Sequence, residues 1–76
     1  MNIKINKPEN SKCKEMYMVL QEEAVHLYRV YNFKDEGVER EIINLPGRTK
    51  SQLISNYIET PETFIKEILT LNVTNI

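Results

Sequence analysis

Tryptophan is absent, alanine, cysteine and histidine occur once each, and only two glycines interrupt the 76 residues. One cysteine, Cys13, excludes an internal disulfide and a multi-cysteine zinc site. One histidine, His26, supplies too few ring nitrogens for an ordinary structural metal. Gly37 and Gly47 stand apart, each in a turn context, so there is no glycine-rich loop to cradle a phosphate. No apolar run approaches the roughly 20 residues that cross a bilayer, and no signal-type apolar region opens the chain. That predicts a cytoplasmic protein with no membrane partner. Neither sign of charge dominates: 10 basic and 11 acidic residues leave a net charge of −1. This balance argues against nucleic acid held by bulk electrostatics, and against an acidic DNA mimic that works by charge alone.

What remains is one small domain, residues 1–76, with 41% hydrophobic and 28% charged residues. A chain of about this size buries only about 60% of its unfolded surface. Without a disulfide or metal it must rely on packing or on association, so a homodimer is one expected state. Asn, Ile and Lys are frequent and Lys outnumbers Arg. That usage fits AT-rich codons and points to a low-GC bacterial genome or one of its phages or plasmids.

Met1, Ile3 and Ile5 alternate with Asn2, Lys4 and Asn6, the period of a short strand. Residues 7–11 break it at Pro8. Residues 12–33 admit two readings. As a helix, Met16, Leu20, Ala24, Leu27 and Tyr31 form one stripe. As strands, 16–21 and 25–33 are extended segments separated by Glu22-Glu23-Ala24, and the second is rich in β-branched and aromatic residues. The tetrad Lys34-Asp35-Glu36-Gly37 favours the strands, because a polar tip closing on glycine suits a type I turn with a G1 bulge. Closure there sets Phe33 opposite Val38, Tyr31 opposite Arg40, Val30 opposite Glu41 and Tyr28 opposite Ile43.

Pro46-Gly47 ends the next extended segment, 38–45. Thr49 is a helix N-cap, with Leu53, Ile54, Tyr57 and Ile58 as the apolar face through residue 59. Thr60 caps a second helix, with Pro61 in its first turn, Glu62 at the positive end of the dipole, and Phe64, Ile65, Ile68 and Leu69 as its buried stripe. Residues 71–76 read as a terminal strand or a frayed tail. The expected class is α+β: a small antiparallel β-meander of about three strands, with a terminal strand as a possible addition, packed on two C-terminal helices.

Chemistry is sparse. Cys13 and His26 would have to meet in space with a third, orienting group to act as nucleophile and base, and no spacing demands that. They read as a buried thiol and a sheet-surface imidazole. Glu22, Glu23, Asp35, Glu36, Glu39 and Glu41 form the largest charge cluster, a solvated rim or a patch for a basic partner, without the spacing of a calcium loop. Tyr17, Tyr28, Tyr31, Tyr57 and Phe33 are a large aromatic supply for so small a core, and tyrosine is enriched at interfaces.

Residues 38–57 resemble the second and third helices of a Myb/SANT repeat, through Val38, Ile42, the run Leu45-Pro46-Gly47-Arg48-Thr49, Gln52, Leu53 and Tyr57. The resemblance implies a helical DNA-binding module with Arg48, Lys50, Ser51 and Ser55 facing nucleic acid. Val38 stands where that family has tryptophan, and Glu41 where it is apolar. A second, shorter likeness is to the uracil-DNA glycosylase inhibitor family, in Met18-Val19-Leu20-Gln21-Glu22-Glu23, Tyr28, Tyr31 and Ile65-Lys66. It implies a compact dimer that occupies an enzyme's substrate groove.

The reading that takes in most of these residues is a non-enzymatic, cofactor-free and metal-free protein-binding module. It would dock on a host or bacterial protein and inhibit or modulate it, as an anti-defence or enzyme-inhibitor factor of a phage or mobile element. Two short helices cover only one face of a sheet. Tyr28, Tyr31, Glu39, Arg40 and Glu41 are therefore the expected contact residues, with the aromatics supplying affinity and the charges setting orientation.

Overall fold

Strands and helices follow one another in separate halves of the chain. A computed structural model describes residues 2–6, 12–31 and 37–74, the last three as backbone only. Four strands come first: β1 (Asn2–Ile5), β2 (Glu15–Gln21), β3 (Ala24–Val30) and β4 (Val38–Asn44). Two helices follow, α1 (Lys50–Glu59) and α2 (Pro61–Thr74). The strands form one antiparallel meander in the order β1-β2-β3-β4. The α+β class therefore holds, with four strands. The helical reading of residues 12–33 does not, and neither does the Myb/SANT-like reading of residues 38–44, which form β4. Residues 75–76 lie outside the description, but 71–74 continue α2 rather than forming a terminal strand.

The first hairpin turns on two residues, Glu22 and Glu23, with Gln21 paired to Ala24. Glu23 takes φ of 56°, the left-handed region that a side chain usually avoids. Its neighbours hold it there. The Glu23 N–H donates to the Arg48 carbonyl at 3.0 Å, and its carbonyl accepts from the Leu45 N–H at 2.8 Å. Its carboxylate accepts from the Gly47 N–H at 3.0 Å. Gly47 itself, at φ of 84°, is the third residue of a turn closed by the Arg48 N–H donating to the Leu45 carbonyl at 3.1 Å. Pro46 before it and a positive φ at Gly47 are what a type II turn requires.

The turn hands the chain to α1. Thr49 Oγ1 accepts from the Gln52 N–H and the Gln52 side chain accepts from the Thr49 N–H, a complete capping box. Glu22 adds a carboxylate that accepts from the Lys50 N–H at 3.1 Å, a charge suited to the positive end of the helix. Thr60 alone separates α1 from α2. Its hydroxyl donates to the Asn56 carbonyl at 3.3 Å, closing α1, while its carbonyl accepts from the Phe64 N–H at 2.9 Å at the N-cap position of α2.

One face of the sheet meets the helices. Ile3 and Ile5, Met16, Met18 and Leu20, Val25 and Leu27, and Ile43 alternate along the four strands and are all buried. With Cys13, Leu45, Leu53, Phe64 and Ile68 they form one cluster. Tyr57 meets Phe64 edge-on, with ring centroids 6.2 Å apart. Ile58, expected on the apolar face of α1, is 65% exposed.

The β3–β4 register differs from the expected one. Val30 pairs with Val38, Tyr28 with Arg40, His26 with Ile42 and Val25 with Ile43. The expected pairing of Tyr28 with Ile43 was out by an odd number of residues, and an odd slip exchanges the faces of a strand. The observed register sets Val25 and Leu27 on the same face as Ile43, so Ile43 joins the apolar core, with Glu41 and Glu39 following it on that face of β4. Phe33 and the tip residues 34–36, with the turn expected there, lie outside the described residues; the Tyr31 N–H donates to the Gly37 carbonyl on the near side of that segment.

Candidate binding face

The helices leave the other face of the sheet uncovered. Across its middle runs a straight row, because Lys4 pairs with Tyr17, Tyr17 with Tyr28 and Tyr28 with Arg40. The next row toward the Glu22–Glu23 turn is Asn2, Val19, His26 and Ile42. The row on the opposite side contains Glu15, Val30 and Val38. Tyr17 and Tyr28 stack with centroids 4.8 Å apart and planes 9° from parallel. Each ring therefore commits one π-face to the other. Ile42 is 50% exposed and Val38 40% exposed, while Val30 is buried.

Charge on this face is thin. Lys4 pairs with Glu15 at 3.4 Å. Arg40 is exposed, and among the described residues it has no ion-pair partner. A shallow depression of about 210 Å³ lies beside Tyr17, lined by Asn2, Lys4, Glu15 and Met16. A second, of about 270 Å³, lies away from this face between β1 and α2, among Ile5, Asn6, Glu62, Ile65, Lys66 and Leu69. Both fall below the roughly 300 Å³ at which small-molecule sites begin.

The expected contact residues divide between the two faces. Tyr28 and Arg40 are adjacent on the open face. Tyr31, Glu39 and Glu41 lie on the helix side, with Glu41 paired to the buried Leu27 and Glu39 to Arg29. There the Arg29 guanidinium donates to the Glu41 carboxylate. The Tyr31 hydroxyl donates to Glu39 at 3.4 Å, and its ring packs against the core. Desolvation, followed by the nearby Glu39 charge and the hydrogen bond to it, holds the Tyr31 phenol above its ordinary value of 10.0.

The acidic cluster is likewise engaged within the molecule. Glu22 and Glu23 tie the first hairpin to the start of α1, and Glu39 and Glu41 bind Tyr31 and Arg29. Asp35 and Glu36 lie outside the described residues. Arg48, the residue that the Myb/SANT resemblance would turn toward DNA, instead pairs with Glu67 of α2 at 2.9 Å.

Sequence reasoning named Tyr17 as an aromatic without placing it beside Tyr28, and missed Lys4, Val19 and Ile42 as members of this face. The signal was in the two-residue Glu22-Glu23 turn. It fixes Tyr17 opposite Tyr28, and the alternation then assigns every other position. Among the described residues, no group of three or more His, Cys, Asp or Glu could hold a metal ion. Among them, too, no helix is long and apolar enough to cross a membrane. No family model, curated protein or solved structure matches the chain.

Proposed function

We propose that this chain is a non-enzymatic protein-binding module that docks on another protein through the open face of its sheet. The observation that carries this is the stacked Tyr17–Tyr28 pair flanked by exposed Ile42 and Val38 on the side without helices. Large amphipathic rings beside aliphatic side chains, with few charges, are the composition of an interface centre. Tyr28 and Arg40 remain in the contact set, joined by Tyr17, His26 and Ile42. Tyr31, Glu39 and Glu41 leave it, because their polar groups are engaged with one another and with Arg29. The shallowness of the depression beside Tyr17 favours a macromolecule over a small substrate. A role in inhibiting or modulating that partner, as a phage or mobile-element factor would, is part of the same proposal.

The test is affinity capture from a lysate of the source cells, with the protein carrying Ile42→Asp and, as control, Ile58→Asp on the exposed side of α1. The partner is expected to be lost with Ile42→Asp and kept with Ile58→Asp. Equal recovery by both variants would remove the open face from the account.

A second reading, single-stranded nucleic acid on the same face, has Lys4 and Arg40 in its favour. It has less support, because base-stacking platforms present aromatic faces to successive bases, and here the two rings stack on each other.

A further inference from the structure

Resting on that reading, we infer that the occupant of the open face is an acidic, aliphatic segment of a different protein, whose carboxylate meets Arg40 while its apolar side chains cover Tyr28 and Ile42.

Charge complementarity selects the chemistry. Lys4 is already paired with Glu15, and among the described residues the other carboxylates of β4, Glu39 and Glu41, lie on the opposite face. Arg40 therefore stands exposed at the end of an aromatic row. Val38 and Ile42 are its neighbours on the same face of β4. A segment that brought only apolar groups would desolvate this guanidinium with nothing to replace its water, an unfavourable exchange for a charge. A carboxylate removes that cost and forms a planar, two-pronged pair.

The same geometry disfavours a second copy of this chain. Two such sheets stack with their strands nearly aligned. A two-fold axis parallel to the strands sets Arg40 of one copy over the Lys4–Glu15 pair of the other, whose carboxylate is already engaged. An axis across the strands through the central row sets Arg40 over Arg40, like charge on like. Area points the same way: three strands of seven residues and one of four, at about 3.4 Å per residue and about 4.8 Å apart, give a face of roughly 400 Å². A standard stable interface needs about 800 Å² per partner. A separate segment can continue past the rim of the sheet, whereas a flat copy of the face cannot.

A random-peptide display library, selected on the intact protein and counter-selected on its Arg40→Glu variant, tests the inference. Enriched peptides are expected to carry Asp or Glu beside Leu, Ile, Val or Phe. Their binding should fall at least about tenfold on Arg40→Glu, a change of about 1.4 kcal/mol. Exchanging the peptide carboxylate for lysine should restore binding to Arg40→Glu. Arg40→Gln, which removes the charge and nearly keeps the shape, should weaken binding without that rescue, and matched circular dichroism spectra would show that both variants fold. Enrichment of basic or uncharged peptides, or equal affinity for wild type and Arg40→Glu, would overturn the inference. So would a concentration-dependent dimer abolished by Ile42→Asp, which would identify a second copy as the occupant. Oligothymidylate binding abolished by Arg40→Glu would overturn it as well, in favour of nucleic acid. Capture from the source lysate does not depend on peptide charge, so loss of this inference leaves the broader proposal standing.

Discussion

The two faces of the sheet are cut from the same strands and differ in side chains and in what lies over them. On the covered face, Met18, Leu20, Val25 and Leu27 are fully buried beneath α1 and α2. On the open face, one residue away along each strand, Tyr17, Val19, His26 and Tyr28 are only half-buried, and Ile42 is half-exposed. Both faces contain apolar side chains, so hydrophobicity alone does not tell them apart. Helix coverage does. The covered face holds the fold together, and the open face is the one we propose for a partner.

That division can be broken by paired substitutions across one strand. Leu27→Ala leaves a cavity under the helices and should cost about 2–5 kcal/mol. For 76 residues the whole stability is on the order of 4–11 kcal/mol, so this variant loses much of its unfolding midpoint in urea. Ile42→Ala on the open face should cost less than about 1 kcal/mol in the same titration. Comparable losses from the two would mean that something covers the open face in the free protein.

The turn that brings the helices onto the covered face sharpens the same comparison. Gly47→Ala meets no atom within 4 Å, yet φ of 84° strains any L side chain. A loss of about 1–2 kcal/mol is expected from backbone conformation alone. Gly47→Asn should recover part of it, since asparagine tolerates this region, and thermal unfolding of the two variants would measure the difference. Thr49→Ala breaks the capping box at the start of α1 and should cost about 1 kcal/mol, read as a lower urea midpoint.

The smallest effect concerns alkaline pH. The folded protein holds the Tyr31 phenol above 10.0, so its neutral form is favoured by folding. That contribution is fully present below pH 10 and is lost as pH rises through the raised value. Tyr31→Phe should therefore flatten the decline in stability above pH 10, seen by comparing unfolding midpoints of the two proteins at pH 9 and pH 11. An unchanged slope would mean that Tyr31 ionises alike in both states.

Much of this architecture is legible in the residues. The alternation of Ile3 and Ile5, the β-branched density of 25–30, Thr49 before an apolar helix and Pro61 at the start of the next each have a local physical cause, and each sits where that cause places it. The β3–β4 register was harder, because Lys34-Asp35-Glu36-Gly37 offers a plausible tight turn that local propensity alone favours. The observed pairing of Val30 with Val38 answers a non-local demand, that Val25, Leu27 and Ile43 share a face with Met18 and Leu20. Strand alternation divides the contact set in any register: Tyr28 and Tyr31 are three residues apart, which puts them on opposite faces, and the slip decides only that Arg40 joins Tyr28 rather than Tyr31. The clasp formed by Glu22 and Glu23 had no sequence signal, since their partners are backbone N–H groups more than twenty residues away.

The most direct measurement is partner binding by an Arg40→Glu/Ile42→Asp double variant whose urea midpoint is determined alongside. Both side chains are exposed on β4 and lie outside the core. The account predicts a midpoint within about 1 kcal/mol of wild type together with loss of the captured partner. Full capture by a folded double variant would contradict it.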